Sequence, residues 1–153
     1  GDGPIIGALR RLVSELGADS RVIFRPVVPN DKLCAELPGY DIFAIRSDYF
    51  ELSKSMLEAL LTGMPTVINR RPGAAVPELS DEICLLVENT AESYRGALQR
   101  LSADPAYRER LGRAAFAHAR AHWAPDKTEP IFAELYSDLL ARQKRPGELR
   151  GTA

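Results

Sequence analysis

The sequence predicts an α/β fold built on a parallel sheet, and three observations carry that expectation. Strand-like and helix-like runs alternate at short spacing through the first two thirds of the 153 residues. Two of the strand-like runs, Asp41–Ile45 (DIFAI) and Pro65–Ile68 (PTVI), are almost continuously apolar, as strands covered on both faces are. Between them the stretch Ser47–Met64 passes from a strand end through charged and hydroxyl residues straight into a helical period.

In chain order, apolar residues at 5, 6, 9, 12, 13 and 16 predict a helix over Pro4–Leu16, with the proline near its first turn and Gly17 as its stop. Arg21–Phe24 (RVIF) reads as a short strand. Pro26 and Pro29 exclude a helix interior and make an extended loop. Asn30 or Asp31 caps a short helix that Pro38-Gly39 ends. The DIFAI strand, the Ser47–Met64 stretch with Gly63 closing its helix, and the PTVI strand follow. A Pro/Gly loop over 70–77 leads through Glu78-Leu79 to a last strand, Ile83–Val87. Thr90 then opens a weakened capping box, with Ser93 where an acid would stand, and the helix behind it runs to about Ser102. Asp104-Pro105 caps a helix reaching Trp123, and a final helix spans Lys127–Arg142. The polar residues 144–153 read as a disordered tail behind one domain, 1–143.

Composition narrows the function classes. With 45% hydrophobic and 27% charged residues the chain is a globular one with a core. Its net charge of −1 gives no global basic field for nucleic acid. Cys34 and Cys84 have no metal-ligand spacing and read as buried thiols in a reducing compartment, so the expected location is cytoplasmic, including a peripheral place at the inner membrane face. No apolar run approaches the roughly 18 residues of a membrane span, and no signal peptide is expected. The opening Gly1-Asp2-Gly3-Pro4 lacks an initiator Met and reads as the turn after a strand, so the chain is expected to be a fragment.

The chemistry is expected in Ser47–Met64. At about 100° per residue, Leu57, Leu60, Leu61 and Met64 form an apolar stripe, with Lys54 and Glu58 beside it rather than opposite. A lysine in the first turn of a helix opposes the macrodipole, whereas the free N–H groups there attract an anion such as phosphate. The bland alternative is a surface lysine paired with Glu58 in the weaker order. Elsewhere, His118 and His122 have zinc-like spacing but no third ligand nearby, and no metal site is expected. Arg70-Arg71 reads by default as a solvated pair, Asp48 with Glu51 gives no fixed carboxylate separation, and two histidines on one distal helix assemble no Ser-His-Asp arrangement.

The succession GDGP, RVIF, DIFAIRS, ELSKSMLEALLTGMPTVI, PEL, LLVEN and DPAYRERLG resembles the C-terminal, nucleotide-sugar-binding domain of retaining GT-B glycosyltransferases of the sucrose-synthase-like and mannosyltransferase-like family. Its most specific part is Leu57-Glu58-Ala59-Leu60 followed by Gly63-Met64-Pro65. The resemblance implies a Rossmann-like doubly wound sheet, and Glu58 as the carboxylate on the ribose hydroxyls. It places Lys54 near the phosphates, and gives the backbone N–H groups of Glu51, Leu52, Ser53 and Lys54 to the diphosphate and sugar. The family's first acid falls on Phe50, so Glu51, one residue later, becomes the catalytic candidate contacting the donor sugar. Arg46 replaces the proline of the strand-end pair it forms with Ser47 and puts a base beside the site. Ala74-Ala75 replaces a Gly-Gly that lets the family's backbone approach the donor.

The implied function is transfer of a sugar from a nucleotide-diphosphate sugar to an acceptor hydroxyl on a glycan, lipid or small molecule. No cofactor is implied beyond the donor substrate. The implied partner is an N-terminal acceptor domain of the same protein, upstream of Gly1 together with two strands and the family's phosphate-clamping Arg and Lys. A chain with such a gap in its sheet is expected not to fold stably alone, which cooperative thermal unfolding would refute. Two readings of other classes stand beside this one: a binding-only domain without turnover, favoured by Phe50 and the lost glycines, and an unrelated doubly wound regulatory domain.

Overall fold

The structure, a computed structural model, describes residues 3–73 and 76–143, so the proposed tail lies outside the described residues. The chain divides into two compact units, 1–36 and 37–153. The first unit carries α1 (Ile6–Glu15) and α2 (Asn30–Glu36). Gly17, at φ 59, closes α1: its N–H reaches Ser14 O at 3.0 Å and that of Ala18 reaches Val13 O at 2.9 Å. This is the paired pattern that left-handed glycine caps produce. Arg10 lies over the Phe24 ring at 4.7 Å, and Arg25 grips the Glu36 carboxylate, holding its pKa below the ordinary value.

Arg21–Phe24 is a correction to the sequence reading, because no strand forms there. β-rich composition supplies a tendency, but a ladder needs a neighbouring backbone, and no described residue of the first unit is in a strand. Ile23 is accordingly 86% exposed.

The second unit is built on three parallel strands in the order β1-β2-β3: Phe43–Ile45, Thr66–Asn69 and Leu85–Val87. The helix α3 (Lys54–Leu61) crosses from β1 to β2, and α4 (Ala91–Ala103), α5 (Pro105–His122) and α6 (Pro125–Gln143) follow β3. Strand alternation sends neighbouring residues of β2 to opposite faces. Ile68 joins Met56 and Leu60 of α3 with Ala115 and Ala119 of α5. Val67 joins Ala97 and Leu101 of α4 with Leu111 of α5. Helices therefore cover both faces of the sheet, the doubly wound arrangement expected from the apolar strands.

Two local differences follow from the small sheet. Among the described strands only β2 is wholly buried, while Ala44 of β1 is exposed and β3 is half-buried, because of the three β2 alone has a strand on each side. The buried face of α3 centres on Met56, Ala59 and Leu60, with Leu57 and Leu61 at its margins. Helix ends agree with their capping chemistry: Ser53, Thr90 and Asp104 each accept a hydrogen bond from the backbone N–H three residues on. The last helix begins two residues before the expected Lys127 and carries Pro130 inside it.

Candidate functional site

In parallel α/β sheets, ligands sit outside the carboxyl ends of the strands. At that edge β1 ends at Ile45, and residues 46–53 lead to the N-terminus of α3. Two residues from the end of β2 organise this loop. Asn69, 1% exposed, accepts from the Ser47 N–H at 2.9 Å and donates to the Ser47 carbonyl at 3.0 Å, so its amide replaces a strand partner. Arg71 donates through Nε to the Tyr49 carbonyl at 2.8 Å and through Nη1 to the Asn69 carbonyl. The Tyr94 hydroxyl, from α4, donates to the Ile45 carbonyl at 2.7 Å and lies 3.2 Å from Asn69 Oδ1. Burial is the main reason its pKa stands above the ordinary tyrosine value.

The sequence-derived site residues fall around this frame. Ser47 is buried, and its Oγ accepts from the Tyr49 N–H at 3.2 Å. Arg46 reaches outward to Asp48 at 3.0 Å and to Asn89 Oδ1 at 3.1 Å, tying the loop after β1 to the loop after β3. Phe50 and Glu51 are exposed at the loop's crest, and Leu52 packs down against the core beneath α3. Ser53 caps α3 by accepting from the Met56 N–H at 3.3 Å, leaving the N–H groups of the first turn toward the loop. One turn in, Glu58 is largely buried (13% of its side chain exposed), whereas Lys54 is 75% exposed with its Nζ 3.8 Å from Glu58 Oε1. The i, i+4 pair of the bland reading is thus formed, on the same edge as the strand ends.

Three participants escaped sequence reading: Asn69, Arg71 and Tyr94. Arg70-Arg71, read as a solvated pair, splits. Arg70 is exposed and paired with Asp81 at 2.7 Å, while Arg71 is only 7% exposed. The available signal was Asn69 itself, an amide closing the apolar run PTVI where a strand end needs a partner. Behind Asn69 and Arg71 lies a cavity of about 280 Å³, lined also by Arg70, Gly73, Val76, Leu79 and Leu86.

Away from the site, the His118 ring lies 4.4 Å from that of His122, tilted by 40°, and meets Trp123 edge-on at 5.0 Å. Among the described residues no group of three or more His, Cys, Asp and Glu is placed to hold a metal ion. Cys84 is buried, and its thiol is pushed up to about 12 by burial first and by Asp81 second; Cys34 is half-buried rather than buried as expected. Among the described residues no helix is long and apolar enough to cross a membrane.

No known protein-family model matches the chain. Individual relatives do. It is 34% identical to the D-inositol 3-phosphate glycosyltransferase of Acidothermus cellulolyticus, over 89% of this chain and 30% of that protein. It is 31% identical to the GDP-mannose-dependent alpha-(1-6)-phosphatidylinositol monomannoside mannosyltransferase of Mycolicibacterium smegmatis, over 82% of this chain and 34% of that protein. In structure it matches the sucrose-phosphate synthase of Thermosynechococcus elongatus with a TM-score of 0.79 at 23% identity, covering 93% of this chain and 36% of that one, a likeness of fold. The chain spans about a third of the length of these proteins. In sequence the chain is thus related to one part of several glycosyltransferases, and its parallel α/β fold is the fold of the matching part of that solved GT-B enzyme.

Proposed function

We propose that this chain supplies the donor-binding part of an enzyme that transfers a sugar from a nucleotide-diphosphate sugar to an acceptor hydroxyl, with retention of configuration. The observation that carries the reading is the placement of Glu58: a nearly buried carboxylate one turn inside a helix whose N-terminus opens at the carboxyl edge of a parallel sheet. There it can accept both ribose hydroxyls while the first-turn N–H groups and the Lys54 ammonium face the diphosphate. Glu51, exposed at the loop crest, is the carboxylate for the donor sugar, flanked by the backbone of Leu52 and Ser53. Arg46 and Ser47 form the floor at the end of β1, and the ring of Phe50 borders the sugar. The protein's contribution is electrostatic, stabilising the diphosphate as it leaves with its bonding electrons while the acceptor oxygen attacks the sugar carbon from the same face and gives its proton to the departing phosphate oxygen. The donor is a substrate, and the reading includes no resident cofactor. Domain 1–143 works in it with an acceptor-binding domain of the same protein, in the cytoplasm or at the inner membrane face.

The test is titration calorimetry of the full-length protein with UDP and with GDP. Glu58→Gln is expected to weaken the diphosphate that binds by about 10-fold or more, as loss of charge-assisted hydrogen bonds should. Unchanged affinity would point to an unrelated regulatory domain. The exposed Phe50, where the resemblance places an acid, favours one second reading, binding without turnover. Nucleotide binding with no sugar released from the donor would select it.

A further inference from the structure

The loop from β1 to α3 has few hydrogen bonds of its own, and its backbone is held from outside. Both backbone groups of Ser47 are taken by the Asn69 amide, and the Tyr49 carbonyl is taken by Arg71. Both side chains come from one end of β2, and both are more than nine-tenths buried. Arg71 differs from its neighbours in its partners. Arg46 and Arg70 each meet a carboxylate, Asp48 and Asp81. Among the described residues Arg71 meets only carbonyls, those of Tyr49 and Asn69. Burying a guanidinium without a counter-ion is unfavourable, and a neutral side chain of similar length would fill the same space at lower cost. What the guanidinium adds is direction: a rigid planar fork whose Nε and Nη1 bridge two backbone carbonyls from different segments.

We propose that Asn69 and Arg71 are positioning residues for the donor: together they fix the backbone of residues 47–49, and with it the place of Glu51 and the entrance to α3. The proposal rests on the reading of this edge as a donor site. It adds that loop geometry is set by the strand next door and not by the loop's own sequence. Neither residue touches the sugar; each acts through the loop.

The experiment uses the full-length protein with Arg71→Met and Arg71→Lys, and has two readouts. Amide hydrogen exchange at residues 47–50 is expected to accelerate at least about 10-fold in Arg71→Met, with β2 and α4 unchanged, and to be partly restored in Arg71→Lys. For donor turnover, kcat is expected to fall about 100-fold in Arg71→Met while the affinity for UDP or GDP changes less than about fivefold, because the ribose contact is on α3 and the misplaced atoms are on the loop. Unchanged exchange at 47–50 would overturn the proposal. So would a fall in turnover matched by an equal fall in nucleotide affinity and a lowered Tm, the mark of a merely structural role. If Arg71→Met does not fold, Arg71→Lys and Asn69→Ser give the same two readouts. If the wild-type protein binds neither UDP nor GDP, the donor reading fails by itself, and the exchange data decide separately whether Asn69 and Arg71 hold the loop.

Discussion

Gly112 on α5 lies so close to Gly63, at the end of α3, that a Cβ on residue 112 would stand 2.3 Å from the Gly63 carbonyl oxygen. Gly63 in turn holds φ at +74, which closes α3 through hydrogen bonds from its own N–H to Leu60 O (3.0 Å) and from the Met64 N–H to Ala59 O (2.9 Å). Backbone meets backbone, and nothing flexible lies between. Gly112→Ala is therefore expected to destabilise the fold by about 1–3 kcal/mol, as overpacking does. Gly96→Ala on α4, where the added methyl meets nothing within 4 Å, is expected to be neutral or to stabilise by up to about 1 kcal/mol. Urea unfolding of the two variants of the full-length protein checks both signs.

Asn69 and Tyr94 hold consecutive parts of the chain leaving β1, and their variants should not add. Tyr94→Phe removes one hydroxyl and is expected to cost about 1 kcal/mol. Asn69→Ala leaves both backbone groups of Ser47 without their partner and is expected to cost roughly 2–4 kcal/mol. The double variant should fall short of the sum, because each single variant already loosens the same strand end, held at the Ile45 carbonyl by Tyr94 and at Ser47 by Asn69. Full additivity in denaturant midpoints would show that the network is not coupled.

Alkaline stability follows from Cys84 and Tyr94. Both pKa values are raised in the folded state, that of Cys84 from 9.0 to about 12. The folded protein thus keeps protons that the unfolded chain releases, so the stabilisation is complete below about pH 9 and is lost as pH rises toward 12. Cys84 contributes a slope of up to about 1.4 kcal/mol per pH unit within that window. Between pH 8 and 10 the urea midpoint should fall, and it should fall less in Cys84→Ala. In the native state at pH 8, iodoacetamide should label the half-buried Cys34 well before Cys84.

Lys54 separates stability from binding. Its ion pair with Glu58 is long and its ammonium is largely in solvent, so Lys54→Ala should change stability by less than about 0.5 kcal/mol. On the donor-site reading it should nonetheless weaken UDP or GDP by about 3- to 10-fold, an effect that shrinks at high salt. Calorimetry at two ionic strengths distinguishes this from a surface lysine with no ligand.

Where local chemistry decides structure, the sequence was a good guide. Gly17 and Gly63 end helices because only a left-handed residue completes those caps, and Thr90 and Asp104 begin them because a short side chain reaches the third N–H. The apolar runs DIFAI and PTVI likewise announced the parallel sheet. RVIF failed because strand formation depends on a neighbour that composition does not reveal. The helical phase of Glu58 and Lys54 was legible, and the two do lie side by side on α3. Asn69, Arg71 and Tyr94 were not legible, since their roles lie in contacts spanning 22 to 49 residues of sequence, which no period or spacing encodes.

The hold of Asn69 on Ser47 makes substitution at this edge lopsided. Asn69 recognises position 47 through its peptide groups alone, so whichever small side chain stands there is invisible to it. Position 69 has no such latitude: Asp could accept from the N–H but could not donate to the carbonyl. A library randomised at both positions should return several small residues at 47 and Asn at 69. Anyone reshaping this edge for a different ligand can rewrite the loop, provided that an amide 22 residues away is left alone.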